Sequence, residues 1–412
     1  MNRLIPIAMV ALALGIRTDA MHAQYDFNLA GHKVQVHSFG SQGFAYSNDN
    51  SYLTMNTSKG SFNFDDLGVN VSTQITDKFR VGAQGYTRRL GELNKGQVSL
   101  DWAYGDYRFK PWFGVRGGKV KTALGLYNDL QDVDSLSTWA LLPQSMYPID
   151  LRGSTIAHYG GDFYGRISLR RFGKVNYTAY GGVLPNDPHQ GFLFALHGVF
   201  NEKAAYVGPI GGGDVKWNTP LKGFLAGASY MTQHPSGSGI GGAAGPFPGK
   251  PFKWDSKKRQ ISQFYVQYLF KGLHVDGEYH RDYRDLGINA PVFGQNSNVN
   301  QNNDVEWNAR SWYISGAYRF SHLIEVGSYY SFFTPNQNVD VSQPGNHIYD
   351  KVVTARFDPK RFWTVKVEGH FIDGYGQIDS ARGFYGFPAP GQSSVSLKPQ
   401  TNLFLVRTGF SF

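Results

Sequence analysis

The stretch TNLFLVRTGFSF, residues 401–412, alternates between two sets of side chains without a break. One set is Phe404, Val406, Thr408, Phe410 and Phe412, and the other is Leu403, Leu405, Arg407, Gly409 and Ser411. A period of two predicts a β-strand. A mostly apolar face that ends in an aromatic residue is typical of the closing strand of a membrane barrel, whose outer face meets lipid. An edge strand of a soluble β-sandwich would alternate in the same way, so the rest of the chain must decide.

The composition favours the barrel. The 412 residues include 50 Gly, 25 Tyr, 30 Phe and 8 Trp, but no Cys. This is too aromatic for a disordered chain, and no stretch after the N-terminus reaches the roughly 18 apolar residues of a spanning helix. High glycine and aromatic content with modest hydrophobicity fits a barrel in which every second residue faces water. Without cysteine there are no disulfides, so stability must come from a closed hydrogen-bond network.

The N-terminus has the features of a secretory signal. Arg3 gives a positive start, residues 4–15 form a short apolar core, and cleavage is expected after Ala20 or Ala23. We therefore expect a cleaved signal peptide over residues 1–23, a barrel over residues 24–412, and export through the periplasm to a bacterial outer membrane. The net charge of +9 suits either anionic solutes or anionic lipid and does not choose between them.

Turn signals divide the remaining chain into alternating short and long connections. Short connections rich in Pro, Gly, Asp or Ser fall at residues 75–78, 109–111, 171–174, 219–222, 271–272, 320–323 and 358–360. Long connections fall at residues 48–60, 91–96, 122–154, 184–213, 234–258, 285–305, 334–347 and 373–400. Aromatic residues flank the short connections, which indicates a girdle at one membrane interface. The pattern predicts an all-β, antiparallel, up-and-down barrel of about sixteen strands of roughly 10 residues, with both termini on the short-turn side.

At this point the chain resembles the Gram-negative outer-membrane porins, which are water-filled and usually trimeric barrels. The residues that carry the resemblance are Phe410 and Phe412 at the C-terminus and the segment GKVKTALGLYNDLQDVDSLSTWALLPQSMY at residues 118–147. The resemblance implies a homotrimer in the lipid bilayer, in contact with outer-leaflet lipid. It also implies that residues 122–154, here called the third loop, fold inward and narrow the pore. The C-terminal strand with Phe410 and Phe412 would then be the signal that the barrel-assembly machinery reads.

Charged residues on the polar parity of the strands are the candidates for the pore lining. The predicted basic wall is Arg80, Arg88, Arg116, Arg166, Arg170, Arg356, Lys366 and Arg407. The predicted acidic side is Asp276, Glu278 and Glu325 on the far wall, with Asp129, Asp132 and Asp134 on the third loop. Facing charges of opposite sign would create a transverse field that orients dipolar solutes and favours anions near the arginines. Some of these arginines could instead pair with Asp101, Asp162 or Glu368, or lie at the girdle.

Two other functions stay open at the sequence level. One is a hydrolase at the barrel rim, since His158, His189, His197, His234 and His347 lie in or near long connections. The other is a non-conducting barrel for adhesion or assembly. The sequence has no GxSxG or HExxH motif, so we expect no enzyme. His274 and His280 lie six residues apart on one face, too far to share a metal ion. We expect no cofactor, no metal and no nucleic-acid partner, and we expect a passive channel for small anionic or polar solutes.

Overall fold

A computed structural model of the chain describes residues 25–91, 93–132, 136–149, 151–184, 200–241, 248–289, 302–376 and 397–412. The described residues form a single antiparallel sheet of nineteen strands. The strands are β1 Tyr25–Leu29, β2 His32–Ser47, β3 Ser61–Thr76, β4 Phe79–Leu90, β5 Val98–Lys110, β6 Phe113–Lys121, β7 Ala157–Ser168, β8 Lys174–Val183, β9 Phe200–Val207, β10 Pro209–Asn218, β11 Phe224–Gln233, β12 Ser236–Gly241, β13 Pro251–Phe270, β14 Leu273–Asn289, β15 Asn302–Arg319, β16 Ile324–Thr334, β17 Ile348–Lys360, β18 Trp363–Asp373 and β19 Gln400–Ser411. Short 3-10 helices lie at Thr57–Lys59, Asn128–Leu130, Arg152–Ser154, Arg170–Phe172 and Pro344–Asn346.

Sixteen of these strands close into a barrel. The closing strand β19 pairs with β2 in a register that runs from Leu403 opposite Ser47 to Ser411 opposite Phe39. The remaining strands, β1, β9 and β12, are additions to the barrel wall. The predicted all-β antiparallel barrel is therefore confirmed, and residues 401–412 are its closing strand.

The connections alternate between short and long as predicted. Lys271 and Gly272 join β13 to β14 with φ values of 47° and 84°. Positive φ at both central residues is the type I′ turn that matches the twist of two antiparallel strands.

The predicted signal peptide, residues 1–23, lies outside the described residues. In the described part of the chain, no helix is long and apolar enough to span a membrane.

The two faces of β19 follow the predicted alternation. Phe404 and Phe410 face outward, with 43% and 40% of their surfaces exposed, whereas Leu405 is fully buried and Arg407 is 6% exposed. Aromatic rings also gather beside the short turns, where Phe109 packs on Phe113 at 5.4 Å, Tyr318 on Phe320 at 4.9 Å, and Trp363 on Phe410 at 6.0 Å between ring centroids. These rings form the predicted girdle at the short-turn end of the barrel.

Three strands were not predicted from the sequence. Strand β1 pairs with residues 32–36 of β2. The closing strand β19 pairs with the same edge of β2 from Phe39 to Ser47, so β1 continues the pairing along this edge beyond Phe412. Strands β9 and β12 pair with each other inside two of the predicted long connections. Strands β13, β14 and β15 have 20, 17 and 18 residues, longer than the predicted 10 or so. The predicted loops at 234–258 and 285–305 are therefore shorter than expected, because strand pairing continues past the length a bilayer requires.

Candidate constriction site

The third loop is hydrogen-bonded to the inner face of the last three strands. Interior-facing cations of β17, β18 and β19 donate to nearby backbone carbonyls of the loop. These bonds join Arg356 Nη1 to Ser137 O, Lys366 Nζ to Trp139 O, and Arg407 Nη1 to Ala140 O, each at 2.9 Å. These loop carbonyls therefore have hydrogen-bond partners within the protein and do not need water as a donor.

Acidic residues of the same wall accept hydrogen bonds from the loop. The two carboxylate oxygens of Glu368 accept the backbone N–H groups of Ala140 at 2.9 Å and Leu141 at 3.1 Å. On β16, Glu325 accepts the Thr138 hydroxyl at 2.6 Å. Cations and carboxylates therefore satisfy the opposite ends of the loop's peptide groups, which fixes the direction of this segment as well as its position.

The first part of the loop contacts strands β13 to β15. On β14, Glu278 accepts the backbone N–H of Leu126 at 3.1 Å and the Tyr147 hydroxyl at 2.7 Å. The same carboxylate accepts the Tyr313 hydroxyl of β15 at 2.8 Å and the Gln263 amide of β13 at 2.7 Å. Burial and the neighbouring Glu278 raise the pKa of the Tyr147 hydroxyl well above its ordinary value, which keeps it protonated as a donor.

A third anchor joins the loop to β4 and β5. Arg152 Nη2 lies 2.9 Å from both carboxylate oxygens of Asp101 and also contacts Asp132. The Gln84 amide donates to Asp101 and Asp132, each at 3.0 Å. Burial favours the neutral acid, but the charges of Arg152 and Lys121 outweigh it and lower the pKa of Asp132. This cluster is buried, and its two carboxylates are compensated by cations.

The described parts of the third loop thus contact interior-facing residues of β4, β5, β13 to β15 and β16 to β19. In the strand order of the closed barrel, β4 and β5 lie opposite β13 to β15.

Solved structures share this architecture at low sequence identity. Over 94% of this chain and 100% of the other, the fold matches the outer-membrane expressed OmpT of Vibrio cholerae, with a TM-score of 0.59 and 10% identity. It matches the anion-selective porin from Comamonas acidovorans over 92% of this chain and 100% of the other, with a TM-score of 0.51 and 12% identity. The chain has the fold of the outer-membrane porins.

A third structure agrees with that assignment. Salmonella typhi OmpF in complex with daunomycin matches over 94% of this chain and 100% of the other, with a TM-score of 0.52 and 12% identity. No protein-family profile and no curated protein matches the sequence. The porin fold and the outer-membrane neighbours agree with the predicted location in a bacterial outer membrane.

Four residues of the predicted basic wall serve as anchors in this porin fold. Arg88, Arg356, Lys366 and Arg407 lie on the interior parity, but each donates to a backbone carbonyl of the loop. Lys366 is fully buried and Arg88 is 2% exposed. The inward direction of these side chains agrees with the predicted parity, and those that are buried are hydrogen-bonded to the loop, as a buried charge requires. Their part in lining the pore stays a prediction.

The other four residues of the basic wall differ among themselves. Arg116 of β6 is paired with Asp162 of β7, with Nη2 and Oδ2 at 2.8 Å. Arg80 and Arg166 lie on the interior parity of β4 and β7 and are exposed. The predicted strand position of Arg170 is wrong, since β7 ends at Ser168 and Arg170 lies in the 3-10 helix Arg170–Phe172. The turn begins there two residues earlier than the sequence suggests.

Most residues of the predicted acidic side are buried and bonded to other residues of the protein. Asp129 is exposed in the 3-10 helix Asn128–Leu130, and Asp134 lies outside the described residues, whereas the other four are buried: Asp132, Asp276, Glu278 and Glu325. Asp276 contacts the Tyr127 hydroxyl, and Glu325 contacts Arg319. The expectation that Asp132 faces the basic wall across the lumen is wrong, because it lies beside Asp101 of β5 on that same side.

Two residues of the candidate site were not predicted from the sequence. Arg108 shares the interior parity of β5 with Asp106, and its guanidinium lies 5.8 Å from the Tyr164 ring centroid. Parity alone would have found this residue. Arg152 on the third loop bridges two buried carboxylates. It could not be recognised, because its partners come from separate segments.

Proposed function

We propose that the protein is a passive diffusion channel for small hydrophilic solutes. The observation that carries this proposal is the set of hydrogen bonds from the third loop to Glu278 of β14 and to Asp101 of β5, on opposite walls of a sixteen-strand barrel. A barrel of this size encloses an aqueous lumen, and a loop across it leaves a restricted passage. Size selection then follows from the space that the anchored loop leaves.

We further propose that the channel favours anions such as carboxylates or phosphate. Three exposed cations, Arg80, Arg108 and Arg166, lie on the interior parity of β4, β5 and β7. Their neutral neighbours are the Ser72 hydroxyl at 2.7 Å from Arg80, the Asn176 amide oxygen at 3.0 Å from Arg166, and the Tyr164 ring beside Arg108. Asp106 lies opposite Arg80 and Arg116 in the register, and its carboxylate, which accepts the Tyr164 hydroxyl at 2.5 Å, offsets part of the positive charge of this group. Planar guanidinium groups in excess over the nearby carboxylates suit carboxylate and phosphate.

Changing Arg80, Arg108 and Arg166 together to Gln should lower the anion-to-cation permeability ratio. Each charge contributes about 0.4 kcal/mol to a monovalent anion about 10 Å away in water, so three contribute about 1 kcal/mol, or roughly a fivefold change at low salt. The measurement is the reversal potential of the reconstituted protein in a salt gradient.

The matched control is Arg89→Gln. Arg89 lies on the outer parity of β4 and is paired with Asp65 at 2.6 Å, so its removal should leave the reversal potential unchanged. A wild-type protein without conductance would overturn the channel proposal. A cation-selective wild type, or a triple variant with wild-type selectivity, would overturn only the preference for anions.

A hydrolytic site would need an imidazole with one nitrogen directed at a nucleophile. Within the part of the chain that the structure describes, His370 has a carboxylate at each ring nitrogen, with Nδ1 2.8 Å from Asp350 and Nε2 3.0 Å from Glu368. Both nitrogens are engaged by carboxylates, so neither is directed at a nucleophile. His370 is therefore not placed to act as a catalytic base, and its contact with Glu368 makes it part of the loop anchor. The hydrolase stays the alternative at the rim histidines predicted from the sequence. The homotrimer and the recognition of Phe410 and Phe412 by the assembly machinery stay predictions.

A further inference from the structure

Two arginines face each other on the outer surface of the barrel. Arg281 of β14 lies directly opposite Arg310 of β15 in the strand register. Both are on the outward parity, which on β14 includes Tyr279 with 39% of its surface exposed. Residues directly opposite in an antiparallel pair have Cβ atoms about 5 Å apart, and like charges at that position are destabilising. An anion bound between the two guanidinium groups would offset this repulsion.

No carboxylate of the described residues forms an ion pair with either guanidinium. Arg281 Nε donates to the Asn308 amide oxygen at 2.9 Å, and Arg310 donates to Tyr279 Oη at 2.8 Å and to Gln337 Oε1 at 3.1 Å. These neutral acceptors orient the guanidinium groups without cancelling their charge.

The nearest acids on this face lie further along the strands. Asp285 and Glu306 are opposite each other, four residues beyond the arginines and about 13 Å along the strand. Lys258 of β13 lies opposite Asp285 in the register. The connecting segment 290–301 has no charged residue in its sequence. The two arginines are therefore left as a local concentration of positive charge.

The position of the pair on the strands matches the level of lipid headgroups. The row below it is Tyr279 opposite Trp312, and Trp312 packs edge-on against Tyr330 at 5.5 Å. Below that row the outer face of β15 is apolar, with Ile314 58% exposed. Tyr and Trp collect where hydrocarbon meets headgroups. The arginines thus lie just beyond the apolar band, toward the long connections, which face outward in the porin fold.

We propose that Arg281 and Arg310 bind a phosphate group of a phosphorylated outer-leaflet glycolipid. One phosphate between the two guanidinium groups would relieve their repulsion through charge-assisted hydrogen bonds, while the acyl chains lie against the apolar face below. The opposite side of the barrel offers a contrast. There the outward Arg89 of β4 is neutralised by Asp65 of β3 and has no need of an external anion.

The test compares glycolipids that differ only in phosphate. Purified full-length protein in neutral detergent is incubated with a bisphosphorylated lipid A or with its dephosphorylated form, and retained lipid is counted by native mass spectrometry. We expect the wild type to prefer the phosphorylated lipid by at least about tenfold, and the variant Arg281→Gln with Arg310→Gln to lose that preference. Arg89→Gln should retain it.

Three results would overturn the proposal. They are equal retention of both lipids by the wild type, an undiminished preference in the double variant, and binding of inorganic phosphate alone as tight as that of the lipid. The last result would assign the arginines to a free anion. Because both side chains face outward, the double variant should keep wild-type conductance and selectivity. That readout confirms a folded barrel and separates this test from that of the channel.

Discussion

Replacing Glu368 with Leu should release the third loop and raise the single-channel conductance. Glu368 is fully buried and accepts two loop N–H groups together with His370 Nε2. Leucine would leave these donors without an acceptor beside the buried Lys366. Removing one member of a buried, hydrogen-bonded charge network costs about 3–5 kcal/mol, enough to shift a local equilibrium by about a hundredfold to a few thousandfold. We expect larger and noisier currents in planar bilayers and new protease cleavage within residues 136–149.

The conservative variant Glu368→Gln separates loop release from general misfolding. Its amide oxygen can still accept one hydrogen bond, so its conductance should lie between those of the wild type and the Leu variant. Heat-modifiable electrophoretic mobility reports whether each barrel is closed. A closed Leu variant with wild-type conductance and protease resistance would show that Glu368 does not hold the loop.

The charges inside this barrel are divided between two tasks. Next to the third loop, cations donate to loop carbonyls and carboxylates accept loop N–H groups, so these charges hold the loop in place. Toward the short turns, Arg80, Arg108 and Arg166 are exposed, and in the proposed channel they are the charges that act on solutes. Substitutions in the first group should change conductance and stability, whereas substitutions in the second should change selectivity at constant conductance.

The barrel could be predicted from the sequence because strand parity and turn chemistry are local properties. The alternation of residues 401–412 and the order of short and long connections depend on neighbours in the chain. The loop anchors could not be predicted, since they join residues far apart. Lys366 and Trp139 are 227 positions apart, and no pattern in either segment specifies the other.

Local irregularity also limits the sequence prediction of the site. In β4 and β5, Gln84 pairs with Trp102 while Gly85 pairs with Leu100, which leaves Asp101 in a bulge. A bulge reverses the parity of a strand, so alternation alone cannot say which way Asp101 points. The structure directs its carboxylate inward to Arg152, where it becomes part of the anchor on this side.

Replacing Arg152 with Met should destabilise the loop at neutral pH and make its stability depend on pH. Arg152 is 3% exposed and compensates both Asp101 and Asp132. In the wild type the pKa of Asp132 is lowered, chiefly by Arg152 and Lys121 acting against burial. Its contribution to stability is present above the unfolded pKa of about 3.9 and is lost only as the pH falls through the lower folded value. Wild-type stability should therefore not depend on Asp132 between pH 4 and pH 8.

In the Met variant two carboxylates would share a buried site with Lys121 as the remaining cation of the cluster. The pKa of Asp132 should then rise above its unfolded value, so protonation would relieve the repulsion and stability would increase as the pH falls from 8 toward 4. We expect a loss of about 3–5 kcal/mol at neutral pH, followed in thermal unfolding and in conductance across that range. Arg89→Gln, which breaks the exposed pair with Asp65, should cost at most about 1 kcal/mol. A Met variant as stable as the wild type at pH 7, or one whose defect deepens on acidification, would remove Arg152 from the role of holding the two carboxylates together.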